Sequence, residues 1–390
     1  MKKVLISGAG IAGLTVAYWL RKYGFEPTLV ERYPALQKGG YKIDIRGSAL
    51  QVVKQMGIYP AILEAKTDIR GATYVDSAGQ QLTTMAGDLY GLRSGEDLEI
   101  VRGDLCQILF DQLDGIECLF GDSITSIRDN YVEFNQAKPR QFDLIIGADG
   151  LHSTVRKLVF GEESQFLHHL GIYVSVFTIP NFLHLDRWEI EYKEPTQFVN
   201  VYCTKGSADA KACFAFLGNS TSFPRNREEQ QKILETQFSK SGWETARLLQ
   251  EMRLSRDFYF DAAAQIKIPS WSKGRVVLLG DAGYAPAPMS GLGTSVALIG
   301  AYILAGELSE DYAHAFDRYD ALLRPFVEKN QKLARFGVEM MQPAEASFSS
   351  WLIHTLCRIL PSRLIQFLSK IRLNQIAKIA KSISLKTYSN

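Results

Sequence analysis

The chain opens on an apolar run, Val4-Leu5-Ile6, that reads as a short buried strand ending at Ser7. Residues 11–23 then change to helical spacing. Leu14, Ala17, Tyr18 and Trp19 are apolar, Arg21 and Lys22 form a basic end, and Gly24 is the stop signal. Residues 27–30 form the next strand, so the start reads as strand, glycine turn, helix, strand, the opening unit of a doubly wound sheet. Two later apolar strands, residues 142–146 and 275–279, also end in glycine and aspartate, at Gly147-Ala148-Asp149-Gly150 and at Gly280-Asp281. Glycine-marked strand ends this far apart predict an α/β protein. Its Rossmann-like domain is assembled from separated segments, with a second domain inserted between them.

The insert reads as β-rich. Residues 173–179, 187–192, 198–203 and 212–217 are strand candidates, rich in Val, Phe and Tyr with partial alternation, and 73–94 can add strands to the same sheet. Residues 228–250 look helical. The expected division is 1–72, 95–165 and 270–330 for the dinucleotide-binding domain and 73–94 and 166–269 for the β-sheet substrate domain. Residues 331–390 supply C-terminal helices. From 351 onward there are seven basic residues and no acidic ones. Leu352, Leu356 and Ile359 share a helical face, as do Leu364, Leu368 and Ile371, and then Ile376, Ile379 and Ile383, with Pro361 between two helices. Two readings stay open for this tail: helices docked on the main domains, or a weak membrane-surface contact through basic amphipathic helices.

Composition narrows the class. With 46% apolar and 22% charged residues, the 390-residue chain is globular and neither disordered nor collagenous. Its 44 basic and 42 acidic side chains nearly cancel, which argues against broad nucleic-acid binding. Five cysteines (Cys106, Cys118, Cys203, Cys213 and Cys357) at wide spacings suggest reduced thiols in a cytoplasmic protein. No run reaches the ~18 apolar residues of a spanning helix, and the Met1-Lys2-Lys3 start is not a signal peptide, because glycines interrupt the apolar run at once. The six histidines show no metal spacing.

The chemistry sits in the glycine turns. Gly8, Gly10 and Gly13, with Ala12 between the last two, form G-x-G-x-x-G. The first glycine permits the turn, the second lets a diphosphate approach the backbone, and the third lets helix and strand pack closely. The diphosphate would sit on the helix N-terminus. Glu31, at the end of the second strand, suits the two hydroxyls of an adenosine ribose and disfavours a 2′-phosphate, which points to FAD or NAD as the tightly held cofactor. Gly280-Asp281, followed by Pro288, Gly291 and Gly293, suits a second anion- or sugar-binding corner, where Asp281 can accept from a ribityl chain and backbone N–H groups around Gly291 and Gly293 can face a flavin ring or a negative oxygen. Asp149 and Ser153 can cap the following helix, and Arg156 can reach a phosphate or partner Asp149. Arg102, just ahead of a helix with Leu105 and Leu109 on its buried face, reads either as a salt-bridge residue or as a cofactor contact.

Together these stretches resemble the class A flavoprotein monooxygenases, the single-component hydroxylases of the para-hydroxybenzoate hydroxylase type. The resemblance implies that Gly8, Gly10, Gly13 and Glu31, with Arg32 beside it, bind the adenosine half of FAD, and that Arg102 contacts the flavin side. It implies that Asp149 and Gly150 serve FAD and the transient passage of NADPH, with Asp281 on FAD and Pro288 beside the flavin ring. Where the family usually carries Gly-Asp-Ala-Ala-His, this chain has Gly280-Asp281-Ala282-Gly283-Tyr284, which marks a subgroup. Length, the Gly39-Gly40-Tyr41-Lys42-Ile43-Asp44 loop and the helical tail are similar to the tetracycline destructases of soil bacteria and Legionella. The implied reaction is NADPH- and O2-consuming hydroxylation and inactivation of tetracyclines through a flavin C4a-hydroperoxide. Hydroxylation of another phenolic or polyketide substrate is the alternative. No side chain need act as catalytic acid, base or nucleophile, since the flavin carries the chemistry. A flat substrate needs apolar walls with a few polar handles, for which Phe177, Tyr192, Tyr202 and Met289 are candidates. The expected partners are this small molecule and O2, with the protein acting as a monomer.

Overall fold

The computed structural model describes residues 1–37, 39–218, 224, 226–339 and 362–388. A six-stranded sheet forms its first layer, in the order Ser272–Lys273, Val276–Leu278, Leu144–Gly147, Lys3–Ser7, Glu26–Glu31 and Glu117–Phe120. Every neighbouring pair is parallel except the edge pair of Ser272–Lys273 with Val276–Leu278. Both faces of such a sheet are covered, so its strands are continuous apolar runs: Val4, Leu5 and Ile6 are wholly buried, as are Ile145, Ile146, Val277 and Leu278. The helices Ile11–Lys22 and Gly293–Glu310 pack beside it, with the Trp19 and Tyr302 rings edge to face at 4.8 Å. The three glycine-marked strand ends therefore lie side by side, as the sequence predicts.

A second, seven-stranded sheet has the order Phe258–Ile266, Leu167–Pro180, Asp209–Leu217, Gln197–Cys203, Trp188–Lys193, Gly71–Val75 and Gln81–Ala86. The four strands expected in the insert are all present, and the stretch after residue 70 joins them through a parallel pairing of Gly71–Val75 with Trp188–Lys193. Gly71 is dictated by packing, because a Cβ there would lie 2.4 Å from the Trp188 ring. The helix expected over 228–250 is instead two, Arg227–Gln237 and Thr245–Leu254. The chain breaks at Gly242, where a Cβ would lie 2.6 Å from Ser77. Both helices lie on one face of the sheet, where Leu234, Phe238 and Leu248 join Phe177, Phe214 and Phe216 in a core.

The tail returns to the first layer. Its helix Ser362–Ala380 ends against Gly47, where a Cβ would lie 2.4 Å from the Ala380 backbone. The Ser48 hydroxyl donates to the Ile383 carbonyl at 2.7 Å. The helix stops at Ala380, so Ile383 extends the apolar series of Ile376 and Ile379 from irregular chain. Ile371, expected to share a helical face with Leu364 and Leu368, stands exposed. Tyr388 is buried and donates to Glu307. The described end is thus docked. The face of Leu352, Leu356 and Ile359 and the break at Pro361 lie outside the described residues. Among the described residues, no helix is long and apolar enough to cross a membrane.

Candidate active site

The first corner is made by backbone. Gly8 has φ +103°, and a Cβ there would lie 2.5 Å from the Ala148 carbonyl. A Cβ on Gly13 would lie 1.9 Å from the Gly8 carbonyl oxygen, so only glycine lets helix and strand approach this closely. Gly10 begins the helix with no side-chain cap. Leu14 N–H is the first to return to the ladder, on the Gly10 carbonyl at 2.9 Å, which leaves the N–H groups of residues 11–13 aimed forward at the helix mouth. Ala12 abuts the second corner, for a Cβ on Gly280 would lie 3.0 Å from its methyl group. Glu31 braces the turn, accepting from Ala9 N–H at 2.8 Å and from Tyr33 N–H at 3.0 Å. Arg32 is exposed, its guanidinium 5.0 Å from the Tyr33 ring centre.

The second corner turns on two left-handed glycines, Gly280 (φ +65°) and Gly291 (φ +64°). Between them Pro288–Ser290 makes one 3-10 turn, and the helix Gly293–Glu310 then starts without a side-chain cap or an acidic first turn. Two charged groups meet here. Arg102 is the first residue of the helix Arg102–Phe110, and its Nη2 lies 3.4 Å from where a Gly10 Cβ would stand. It makes no ion pair within 4 Å among the described residues, which removes the salt-bridge reading. Asp281 is exposed to the cleft, and no described donor reaches its carboxylate. The surrounding protein pushes the Asp281 pKa up, with the Arg102 charge opposing. Burial would lower Arg102, but Cys106, Tyr41 and Asp281 outweigh it and hold its pKa above the ordinary value. Asp149 is committed locally, accepting from Val155 N–H at 3.1 Å and from the Ser153 hydroxyl. Arg156 does not pair with Asp149. It is wholly buried and donates to the carbonyls of Leu151 and Ala282 and to Glu163.

Two uncapped helix mouths, a free guanidinium and a free carboxylate fit an extended dinucleotide with a diphosphate in its middle. Comparison with known proteins agrees. The FAD binding domain family matches residues 131–334. A flavin-dependent monooxygenase of Legionella longbeachae is 44% identical over 344 residues, spanning 86% of this chain and 88% of that protein. Another, from an unknown prokaryotic organism, is 46% identical over 344 residues and spans 86% of this chain and 89% of its own. The chain belongs to the class A FAD-dependent monooxygenases. The crystal structure of tetracycline destructase Tet(55) is similar to this monooxygenase over its whole length, with TM-score 0.87, 40% identity, and coverage of 100% of this chain and 99% of that one. Tet(51) gives TM-score 0.86 at 39% identity, with the same coverage.

The seven-stranded sheet has a second face, opposite the helices Arg227–Gln237 and Thr245–Leu254. Strand alternation puts Glu189, Glu191, Asn200, Tyr202 and Cys213 on it. The Gly39–Lys42 stretch closes over this face: Lys42 N–H donates to the Tyr202 hydroxyl at 3.2 Å, and the Lys42 ammonium bonds the Glu189 carboxylate. Tyr41 lies 5.5 Å from the Tyr259 ring. Burial alone would lower Lys42, but Glu189 and Glu99 hold its pKa above the usual value. Glu191 accepts from the Tyr90 hydroxyl at 2.8 Å, and burial pushes its carboxyl up to about 7. Met289, from the second corner, packs with Ile172, Ala215 and Ala263.

Two candidate substrate contacts need correction. Phe177 and Tyr192 sit on the opposite, helix-covered face, Phe177 stacked 5.5 Å from Phe214 and Tyr192 accepting from Gly242 N–H at 3.1 Å. Only Tyr202 of the three aromatic candidates faces the cleft side. Sequence reasoning missed Glu189 and Glu191. Their signal was available, since carboxylates at alternate positions of an apolar strand are costly unless that face has a polar purpose.

Proposed function

We propose that this monooxygenase draws electrons from NADPH and inserts one oxygen atom of O2 into tetracyclines, inactivating them. In this reading, the N–H groups after Gly10 and the Arg102 guanidinium take the FAD diphosphate, and Glu31 takes the adenosine ribose. Asp281 accepts from the ribityl chain, and Pro288, Gly291 and Gly293 flank the ring. FAD, when bound, supplies hydride acceptance and oxygen activation. The protein supplies position, dryness and proton control. The sheet wall excludes water on its apolar side through Val174, Val176 and Met289. Glu191, with its pKa near neutrality, accepts the proton of an enol or phenol hydroxyl, which makes the neighbouring carbon richer in electrons for attack. The observation that carries this reading is the pairing of an FAD-shaped corner with a wall of carboxylates and tyrosines, in a chain that resembles tetracycline destructases along its full length.

The test incubates FAD-loaded protein with NADPH, air and tetracycline and weighs the antibiotic by mass spectrometry. A gain of one oxygen, dependent on NADPH and lost in Asp281→Ala, is expected. An unchanged antibiotic from yellow, FAD-loaded protein would refute tetracycline as the substrate and turn the search to other phenols and polyketides.

A further inference from the structure

A cavity of about 430 Å³ lies outside the cleft, between residues 265–271 and the helix Ala315–Glu339. Its floor is apolar, with Ile268, Trp271 and Val327, and its rim is cationic, with Lys267, Lys332 and Arg335. Among the described residues, none of these three cations has a carboxylate within 4 Å. Glu328 also lines the cavity and pairs with none of them. Arg324 is different: it is held by Asp320, with its guanidinium 4.3 Å from the Trp271 ring centre. The free charges sense one another. Burial and Arg335 depress the Lys267 pKa, and burial, Lys267 and Arg335 depress that of the adjacent His168. An anion on this rim relieves the repulsion between Lys267 and Arg335. Gln265, wholly buried, also lines the cavity. Its amide nitrogen donates to the Pro286 and Gln331 carbonyls at 3.1 and 2.7 Å, while its Oε1 has no donor. The cavity therefore offers unpaired positive charge, an apolar floor and one unmet acceptor. Its inner wall, at Tyr284, belongs to the turn that leads to Pro288.

The first corner disfavours a 2′-phosphate, because the Glu31 carboxylate at the end of its second strand repels one. A reductant carrying one is better held elsewhere. We propose that this cavity receives the 2′-phosphoadenosine end of NADPH, with the phosphate on Lys267, Lys332 and Arg335 and the adenine over the apolar floor. The inference rests on NADPH being the electron donor.

The experiment titrates the full-length, FAD-loaded protein with adenosine 2′,5′-bisphosphate, 5′-AMP and inorganic phosphate by calorimetry, and repeats this for Lys332→Ala/Arg335→Ala. Both residues are exposed, so the variant should keep its fold and its flavin absorbance. The bisphosphate is expected to bind at least tenfold tighter than 5′-AMP or phosphate, and the variant to weaken it at least tenfold. The variant's preference for NADPH over NADH should fall by a similar factor. Equal bisphosphate affinity in both proteins overturns the proposal, and so does phosphate binding as tightly as the bisphosphate, which marks an adventitious ion only. Anaerobic bleaching of the flavin separates the two readings. If NADPH does not bleach the wild-type flavin, the donor reading falls. If NADPH bleaches wild type and variant with equal half-saturation, the donor reading stands and the cavity proposal falls.

Discussion

The two faces of the seven-stranded sheet come from the same strands, one residue out of step, and they differ in kind. Val199, Val201 and Cys203 point to the helix-covered side with Phe177 and Phe214, while Asn200 and Tyr202 point to the cleft with Glu189 and Glu191. One face is a packed aromatic core. The other is a buried polar network whose carboxylates are held by Lys42 and Tyr90. A fold needs only the first. Burying carboxylates is costly, so the second face is arranged for something besides stability.

Substitutions can break this division. The largest effect is expected from Phe177→Ala, which opens a cavity in the core and should cost about 3–5 kcal/mol. Chemical denaturation measures it. Activity per FAD-loaded folded molecule should be retained, and a selective loss of tetracycline binding would contradict the assignment of Phe177 to packing.

Glu191→Gln should act the other way. The folded carboxyl titrates near 7, above its unfolded value, so its stability contribution is complete below about pH 4.5 and is lost as pH rises through about 7. The glutamine variant should therefore gain about 2–3 kcal/mol at pH 8 relative to wild type. Its kcat/KM for tetracycline should fall about 100-fold at that pH, the low end of the range for a lost general base. Wild-type kcat/KM should rise through an apparent pKa near 7, and the variant should be flat. An unchanged pH profile would remove Glu191 from the reaction.

The smallest effect sharpens where the cleft-side face meets the first domain. His152 bonds Asp261 at 3.2 Å and Glu163 at 3.0 Å, and these carboxylates raise its pKa to about 9. This stabilisation is present below about pH 6.5 and lost as pH rises through about 9. The ring is more than a third exposed, so screening reduces the contribution to about 1 kcal/mol. A melting series across that range should lose this increment in wild type and show none of it in His152→Ala.

The same division explains what could be read from sequence. The glycine corners were legible because backbone geometry writes itself as residue type: Gly8, Gly13 and Gly280 are where a Cβ meets another chain segment or φ turns positive. The strands of the insert were legible from β-branched and aromatic runs. Which face of each strand met the cleft was not, because that depends on long-range pairing, and so Phe177 and Tyr192 were placed on the wrong side. Arg102 remained ambiguous in sequence, since only the fold brings it to Gly10 and Asp281 without an ion-pair partner.

The most direct test of the central claim follows the oxygen atom. Tetracycline, NADPH and the FAD-loaded protein are incubated under 18O2 and the product is weighed. The account predicts one heavy oxygen per oxidised antibiotic molecule, and none without NADPH. Product oxygen drawn from water, or NADPH consumed with only peroxide formed and the antibiotic intact, would contradict it.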